Sequence, residues 1–306
     1  MTTDAPRWRD LRAGAEAALR EAGVPDPVSE ARWMVERISG YEGAELVASE
    51  AEKATARARD HLAAMLERRA GGEPLQYVLG VWSFRRLELL VDRRVLIPRP
   101  ETEVTAEVAI EEVVRLGARR GAADPWKSPA QTAYTVVDLG TGSGALALAL
   151  AAELPDAEVW ATDANEDALA VARANLAGAG LPATRVRLVE GDWFDALPPS
   201  LRARLRLVVA NPPYVAATEL DELPVEVVGY EPTGALVAGP RGLEAIEVIV
   251  AGAPEWLDRV GGALVCELAP HQAADAIELA LAAGFSEAFA RRDLTGRERV
   301  LVARVG

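Results

Sequence analysis

Four short clusters carry side chains suited to chemistry. They are Asp138-Leu139-Gly140-Thr141-Gly142-Ser143-Gly144, Asp163, Gly191-Asp192-Trp193-Phe194 and Asn211-Pro212-Pro213-Tyr214, and each closes a run rich in aliphatic residues. Glycines after a strand and before a helix let the backbone turn tightly and approach a ligand. Asp163 stands 23 residues after Gly140, close to the spacing of an acid that hydrogen-bonds ribose hydroxyls. Asp192 and Trp193 offer an acid and a flat ring, suited to hydrogen-bonding and stacking on adenine. Pro212 and Pro213 hold an extended backbone and donate no N–H. The last cluster is therefore a stiff row of carbonyl acceptors with an amide at its base and a ring at its tip. Ordinary readings exist for each cluster: a proline turn, a loop cap at Asp192, a core ring at Trp193. Their order at successive strand ends favours one shared ligand site.

Two cofactors suit that geometry. Gly140, Gly142 and Ala145 satisfy the G-x-G-x-x-G/A dinucleotide fingerprint, which admits a nicotinamide or flavin enzyme. S-adenosylmethionine brings a ribose and adenine without a diphosphate, and carries an ammonium and a sulfonium. Asp138, directly before the glycines, suits a cationic ligand and sits poorly beside a diphosphate.

The elements that must position these residues follow from periodicity. Residues 1–80 show helical spacing, as at Trp8, Leu11, Ala15 and Leu19, with breaks at Pro25-Asp26-Pro27 and Gly71-Gly72. This predicts a small helical bundle. Residues 81–98 alternate around Asp92-Arg93 and predict a linking β-hairpin. A helix is expected over 101–116 and an irregular loop over 118–132. In the third region, 99–306, strands YTVVDL, EVWATD, RVRLVEGD, LRLVVAN and GGALVCEL alternate with helical stretches at 145–153, 166–177, 241–258 and 271–283. Such alternation predicts an α/β fold with a mostly parallel sheet covered on both faces. FSEAFARRD and RERVLVARV, joined by LTG, predict a C-terminal antiparallel hairpin at one edge.

Composition narrows the function classes. The chain has 306 residues, half of them hydrophobic, and a formal net charge of −14. Its arginines are scattered, which argues against a DNA-binding face. The single cysteine, Cys266, lies in an apolar run and reads as buried. His61 and His271 are far apart, so no metal cluster is expected. No apolar run reaches the roughly 18 residues of a membrane span. The start lacks the pattern of a secretory signal, and a cytoplasmic protein is expected.

Together the motifs resemble the class I S-adenosylmethionine-dependent methyltransferases, and within them the HemK/PrmC family of release factor glutamine methyltransferases. GEPLQYVLG at 72–80, VLIPRPETE at 95–103 and DLTGRERVLVAR at 293–304 add narrower matches. Two positions depart from the family's usual pattern: Arg241 stands where an acid is usual, and Ala269 where a glycine is usual. The resemblance implies a Rossmann-like seven-stranded catalytic domain behind an N-terminal substrate-recognition domain. It also implies transfer of a methyl group to N5 of the glutamine in the Gly-Gly-Gln motif of class I peptide chain release factors, leaving S-adenosyl-L-homocysteine; a monomer is expected separately from the resemblance. On this reading Asp138, Gly140, Thr141, Gly142, Ser143, Gly144, Asp163, Asp192, Trp193 and Asn211 hold S-adenosyl-L-methionine. Asn211, Pro212, Pro213 and Tyr214 act on the substrate amide. Arg99, Glu101 and Glu103 either rim the site or open a helix with favourable charge. The alternatives are a glutamine methyltransferase of a ribosomal protein and a nucleic-acid N6-adenine methyltransferase, which would need a pocket for an extruded base.

Overall fold

Helical spacing in the N-terminal part yields five helices in the computed structural model, which describes residues 5–121 and 134–306. They are α1 (Trp8–Glu21), α2 (Pro27–Ser39), α3 (Ala44–Ser49), α4 (Ala56–Ala70) and α5 (Leu75–Leu79). Their ends follow local chemistry. Asp26 Oδ1 accepts the Ser29 N–H at 3.2 Å with Pro27 in the first turn of α2, and Thr55 Oγ1 accepts the Ala58 N–H at 3.1 Å at the start of α4. Leu19, Met34, Val35, Leu62, Met65 and Tyr77 are buried in this unit. Arg69 adds a largely buried ion pair, its Nε 2.7 Å and its Nη2 3.1 Å from the Glu30 carboxylate.

The chain divides into two units, Met1–Val81 with Pro224–Tyr230, and Trp82–Leu223 with Glu231–Gly306. The first therefore includes a segment from far along the sequence, containing helix α9 (Val225–Tyr230). Tyr230 donates its hydroxyl to the Gly71 carbonyl at 2.9 Å, and Glu226 stands 3.4 Å from Arg69.

The hairpin is tighter than expected. Strands β1 (Val81–Phe84) and β2 (Leu87–Leu90) pair around Arg85-Arg86, not around Asp92-Arg93. Arg85 takes a left-handed φ of 53° and is held there by distant acids. Its N–H donates to Glu103 at 2.9 Å and its Nη2 to Glu153 at 2.8 Å. Asp92 instead opens a separate turn, its carbonyl accepting the Val95 N–H at 3.1 Å. Helix α6 (Pro100–Gly121) follows; most of the loop expected over 118–132 lies outside the described residues.

The second unit holds a seven-stranded sheet, ordered β10-β11-β9-β6-β3-β4-β5. The strands are β3 (Tyr134–Leu139), β4 (Ala157–Asp163), β5 (Val186–Glu190), β6 (Leu205–Ala210), β9 (Ala263–Glu267), β10 (Glu287–Arg292) and β11 (Glu298–Arg304). The pairs among β5, β4, β3, β6 and β9 are parallel, whereas β11 pairs antiparallel with both β9 and β10. This is the Rossmann-like architecture of class I methyltransferases. Helices α7 (Ala145–Glu153), α8 (Glu166–Gly178), α11 (Glu244–Trp256) and α12 (Ala273–Ala282) accompany the parallel strands. Val136, Val159, Leu207 and Val265 pack on one face with α6 and α7; Val137, Val208, Leu264 and Leu301 pack on the other with α11 and α12. The central strands β3, β6 and β9 are buried on both sides, which explains their near-continuous apolar runs, whereas β5 and β10 at the two edges are partly exposed. A second small parallel pair, β7 (Val215–Ala216) with β8 (Val237–Gly239), and the short α10 (Thr233–Leu236) had no clear periodic signal.

Register positions the chemistry. Leu139 pairs with Thr162 on one side and Ala210 on the other, so β3, β4 and β6 end level. Gly140, Asp163 and Asn211 leave the sheet side by side. Asp163 in turn pairs with Glu190, which brings Gly191-Asp192-Trp193 to the same edge. β3 lies where the strand order reverses, and the crevice beyond the carboxyl ends there is where open α/β sheets bind ligands.

Candidate active site

The glycine turn is built by the backbone of the neighbouring strand. Gly140 and Gly142 have φ of 71° and 56°, a conformation that glycine adopts without a Cβ penalty. The Gly140 and Thr141 N–H groups both donate to the Thr162 carbonyl at 2.9 Å. Asp163 then accepts the Gly142 N–H at 2.8 Å on Oδ2 and the Asn165 N–H at 2.9 Å on Oδ1. Each oxygen keeps a lone pair for a hydroxyl donor. Burial pushes the Asp163 carboxyl up, against these two N–H groups.

A cavity of about 370 Å³ opens over this edge, lined by Gly140, Gly142, Asp163, Asp192, Trp193 and Pro213 among others. Trp193 has a φ of 41°, and its ring would lie 3.4 Å from a Cβ at Gly140, so glycine and indole are close-packed there. Its neighbour Phe194 turns inward and stacks on Trp256 at 5.9 Å. The cavity also uses residues that the sequence reading left out: Arg94, Val95 and Leu96 after the hairpin, and Pro232, Gly234 and Ala235 around α10.

Four of the six cofactor candidates in the glycine cluster do not line the cavity. Asp138 is fully buried behind the turn, where its Oδ2 accepts the Thr141 hydroxyl at 2.6 Å and the Ala147 N–H at 3.1 Å. Burial pushes its carboxyl up to about 7, against those two hydrogen bonds. It joins the glycine turn to α7 and does not face the cavity as the sequence reading expected of a group meeting a cation. Thr141 is its partner. The Ser143 carbonyl accepts Asn175 Nδ2 at 2.8 Å, and Gly144 caps α7 close to Ala172.

At the end of β6 the Asn211 amide is held at one side only. Its Nδ2 donates to Thr102 Oγ1 at 3.1 Å, while its Oδ1 is buried with no partner among the described residues. A buried acceptor without a donor costs stability; a ligand N–H would satisfy it. Pro212 is buried and Pro213 reaches the cavity. The Tyr214 hydroxyl stands 3.5 Å from Glu267 Oε1. Behind the segment, Gln272 Nε2 donates to the carbonyls of Tyr214, at 2.8 Å, and Gly242, at 3.0 Å. Gly242 has a φ of 77°, and a Cβ there would fall 2.7 Å from the Tyr214 carbonyl oxygen. The sequence reading missed Thr102, Gln272 and the carboxylate of Glu267. Only Glu267 carried a signal, as an acid closing the apolar strand ALVCE.

Of the remaining candidates, Arg99 pairs with Glu231 and Glu103 holds Arg85, so both are occupied by structure. Arg241 pairs with Glu247 at 2.6 Å on the surface, and the Ala269 N–H donates to Gln272 Oε1 at 3.0 Å. The Cys266 thiol is buried, which pushes its pKa up. Among the described residues no group of His, Cys, Asp and Glu could hold a metal ion, and no helix is long and apolar enough to cross a membrane.

A parallel sheet of this order, with a glycine turn, an acid on the next strand and Asn-Pro-Pro-Tyr at the fourth, defines a class I S-adenosylmethionine-dependent methyltransferase. The Methyltransferase small domain family matches residues 127–227, and the PrmC N-terminal domain family matches residues 10–80. The chain is 39% identical over 303 residues to the release factor glutamine methyltransferase of Deinococcus radiodurans, covering 97% of this chain and 98% of that one. It is 39% identical over 291 residues to that of Burkholderia pseudomallei, covering 93% and 94%. The chain belongs to the release factor glutamine methyltransferase family. A solved structure, the N-terminal domain of human METTL16 in complex with SAH, shares the fold at 16% identity with a TM-score of 0.50, covering 88% of this chain and 89% of that one.

Proposed function

We propose that the protein methylates the side-chain amide nitrogen of the glutamine in the Gly-Gly-Gln motif of class I peptide chain release factors, with S-adenosyl-L-methionine as donor. One observation carries this reading beyond the family name. Asn211 Oδ1 is a buried acceptor without a donor among the described residues, on the strand end where the cavity opens.

The cavity suits the donor. Asp163 retains acceptor capacity for ribose hydroxyls, Asp192 and Trp193 offer an acid and a stacking face, and the backbone at Gly140 and Gly142 permits close approach. The bound cofactor supplies a methyl group already activated by a positive sulfur. The protein must supply alignment and charge redistribution.

A glutamine amide nitrogen is a poor nucleophile because its lone pair is delocalised into the carbonyl. Asn211 Oδ1 accepts one N–H of the substrate amide and the Pro212 carbonyl accepts the other. Two acceptors raise electron density on nitrogen and turn its lone pair toward the cavity. Tyr214, with its hydroxyl end near Glu267 and its carbonyl held by Gln272, gives the flat amide a stacking face. The proton leaves after transfer, when the nitrogen is positive, so no strong base is needed. The helical unit recognises the release factor on this reading, and the enzyme works as a cytoplasmic monomer.

The test is incubation of the enzyme with labelled S-adenosylmethionine and purified release factor, followed by mass mapping. Label on the Gly-Gly-Gln glutamine is expected. Label on a ribosomal protein or on DNA alone, or no label, overturns the assignment.

A further inference from the structure

Helix α8 carries a polar residue on its buried face. Ala168, Leu169, Val171 and Ala172 are buried there, and Asn175, one turn beyond Val171 and Ala172, is buried with them at 7% exposure. Asparagine is a weak helix former, so the position gains nothing from propensity. Both ends of its amide are taken by backbone instead. Oδ1 accepts the Leu90 N–H at 2.7 Å. Nδ2 donates to the Leu90 carbonyl at 3.0 Å and to the Ser143 carbonyl at 2.8 Å. Swapping the amide oxygen and nitrogen would set N–H against N–H and oxygen against two carbonyls, so these partners fix its direction.

Both partners lead to the cavity. Ser143 follows Gly142 in the glycine turn, and Leu90 ends β2. From Leu90 the chain forms a strap through Val91 to Arg94, Val95 and Leu96, which line the cavity. At the far end of the strap the Ile97 N–H donates to Glu231 Oε2 at 3.1 Å, and Glu231, only 5% exposed, also pairs with Arg99. Glu231 directly precedes Pro232, which lines the cavity with Gly234 and Ala235. The strap is therefore tied at each end by a buried side chain, and each tie reaches another wall of the same cavity. Between the ties Val91 and Val95 are buried, while Asp92 Oδ1 accepts the Arg94 N–H at 3.1 Å in an exposed turn.

We infer that Asn175 and Glu231 are positioning residues for the cofactor, holding the strap of residues 91–96 against the glycine turn and against Pro232–Ala235 and so setting the width of the cavity. Neither is among the residues that line it; they act through the backbone they hold. The inference rests on the reading of the cavity as the S-adenosylmethionine site. A residue that only filled the helix face would need no amide, because an apolar side chain packs there without polar groups to satisfy. An untied strap must be ordered when the cofactor binds, and that cost falls on affinity. The substrate amide is held by Asn211 and Pro212, which belong to neither tie, so turnover at saturating cofactor is spared.

The experiment is calorimetric titration of the full-length enzyme with S-adenosylmethionine and with S-adenosylhomocysteine. Hydrogen–deuterium exchange over residues 87–97, steady-state methylation of purified release factor and thermal melts accompany it. In wild type, saturating S-adenosylhomocysteine should slow exchange across the strap. Asn175→Ala should speed that exchange in the free enzyme and raise Kd for both ligands roughly ten- to a hundredfold, the scale of losing two or three hydrogen bonds. Its kcat at saturating cofactor and its KM for release factor should stay within about threefold of wild type. Glu231→Ala should act in the same way from the other end, whereas Glu231→Gln keeps an acceptor for the Ile97 N–H and should lose less. A merely structural role would lower the melting temperature and leave Kd, measured well below it, unchanged. That outcome in Asn175→Ala, or in Glu231→Ala where Asn175→Ala does not fold, overturns the inference, as does a loss confined to kcat. No binding of either ligand by wild type, or binding that leaves the strap unprotected, sinks the reading of the cavity instead, so the two failures are distinguishable.

Discussion

Asp163 Oδ2 accepts the Gly142 N–H at 2.8 Å, tying the end of β4 to the turn that follows β3. The acid expected to hold ribose also shapes the backbone of the loop beside it. Asp163→Ala should therefore weaken S-adenosylmethionine binding by about 2–3 kcal/mol, the scale of hydrogen bonds to a charged group. Calorimetry checks this, and Asp163→Asn, which keeps one acceptor oxygen, should lose less. Equal affinity in a folded Asp163→Ala variant would remove Asp163 from the cofactor site.

Asn211→Ala deletes one of two acceptors and leaves the Pro212 carbonyl. The contact strengthens as the nitrogen becomes positive, so the loss should fall on kcat and spare cofactor binding. By comparison with removing one oxyanion-hole donor, kcat should drop roughly 100- to 1000-fold. Asn211→Asp still accepts and should retain partial activity. Single-turnover rates beside thermal melts decide between this role and a simple proline turn.

Gly242 is pressed against the Asn-Pro-Pro-Tyr segment from outside the cavity. Its φ of 77° and the 2.7 Å approach of a built Cβ to the Tyr214 carbonyl leave no room for a side chain. Gly242→Ala should destabilise the fold by about 1–3 kcal/mol and lower kcat by shifting Tyr214. Chemical denaturation and turnover measured on the same preparation check both effects. An unchanged kcat would show that Tyr214 tolerates the displacement.

The buried carboxyl of Glu267 makes a pH-dependent prediction. Its native pKa, about 7, lies above the ordinary value of 4.5. The native state thus holds the proton more tightly than the unfolded chain does. The stabilisation is full below about 4.5 and lost as pH rises through 7. Glu267→Gln removes that loss, so its melting temperature relative to wild type should rise between pH 5 and pH 8. The shift corresponds to about 3 kcal/mol. Asp138, raised to about 7 by the same cause, has the same sign and keeps part of the slope in the variant. A relative melting temperature independent of pH would mean that Glu267 is ionised with little penalty. Greater stability at pH 8 combined with slower methylation would mark a residue retained for function at the expense of the fold.

Much of the fold was legible because its signals are local. Strands buried on both faces read as continuous apolar runs, and glycines or polar residues mark where they stop. The alternation with helical stretches then implies a parallel sheet, as β3 to β9 show. The hairpin was harder. Arg85 takes a left-handed conformation that its side chain alone does not favour, and Glu103 and Glu153 hold it there. No window around residue 85 contains those acids. Pro224–Tyr230 likewise joins the helical unit through Tyr230 and Gly71, residues 159 positions apart.

The sequence by itself determined which groups stand at the strand ends: the glycines, Asp163, Asp192, Trp193 and Asn211-Pro212-Pro213-Tyr214. Strand length and the stop signals are encoded in consecutive residues, so those groups could be named from the chain. Tertiary structure decided what each one faces. Register brought three strand ends level, turned Asp138 inward to Thr141 and Ala147, and left Asp163 beside the cavity. It also brought Leu90 to an asparagine 85 positions away. The direction of an amide depends on which donor or acceptor lies against it. That partner is supplied by packing between distant segments, so the chemical sense of Asn175 exists only in the folded chain.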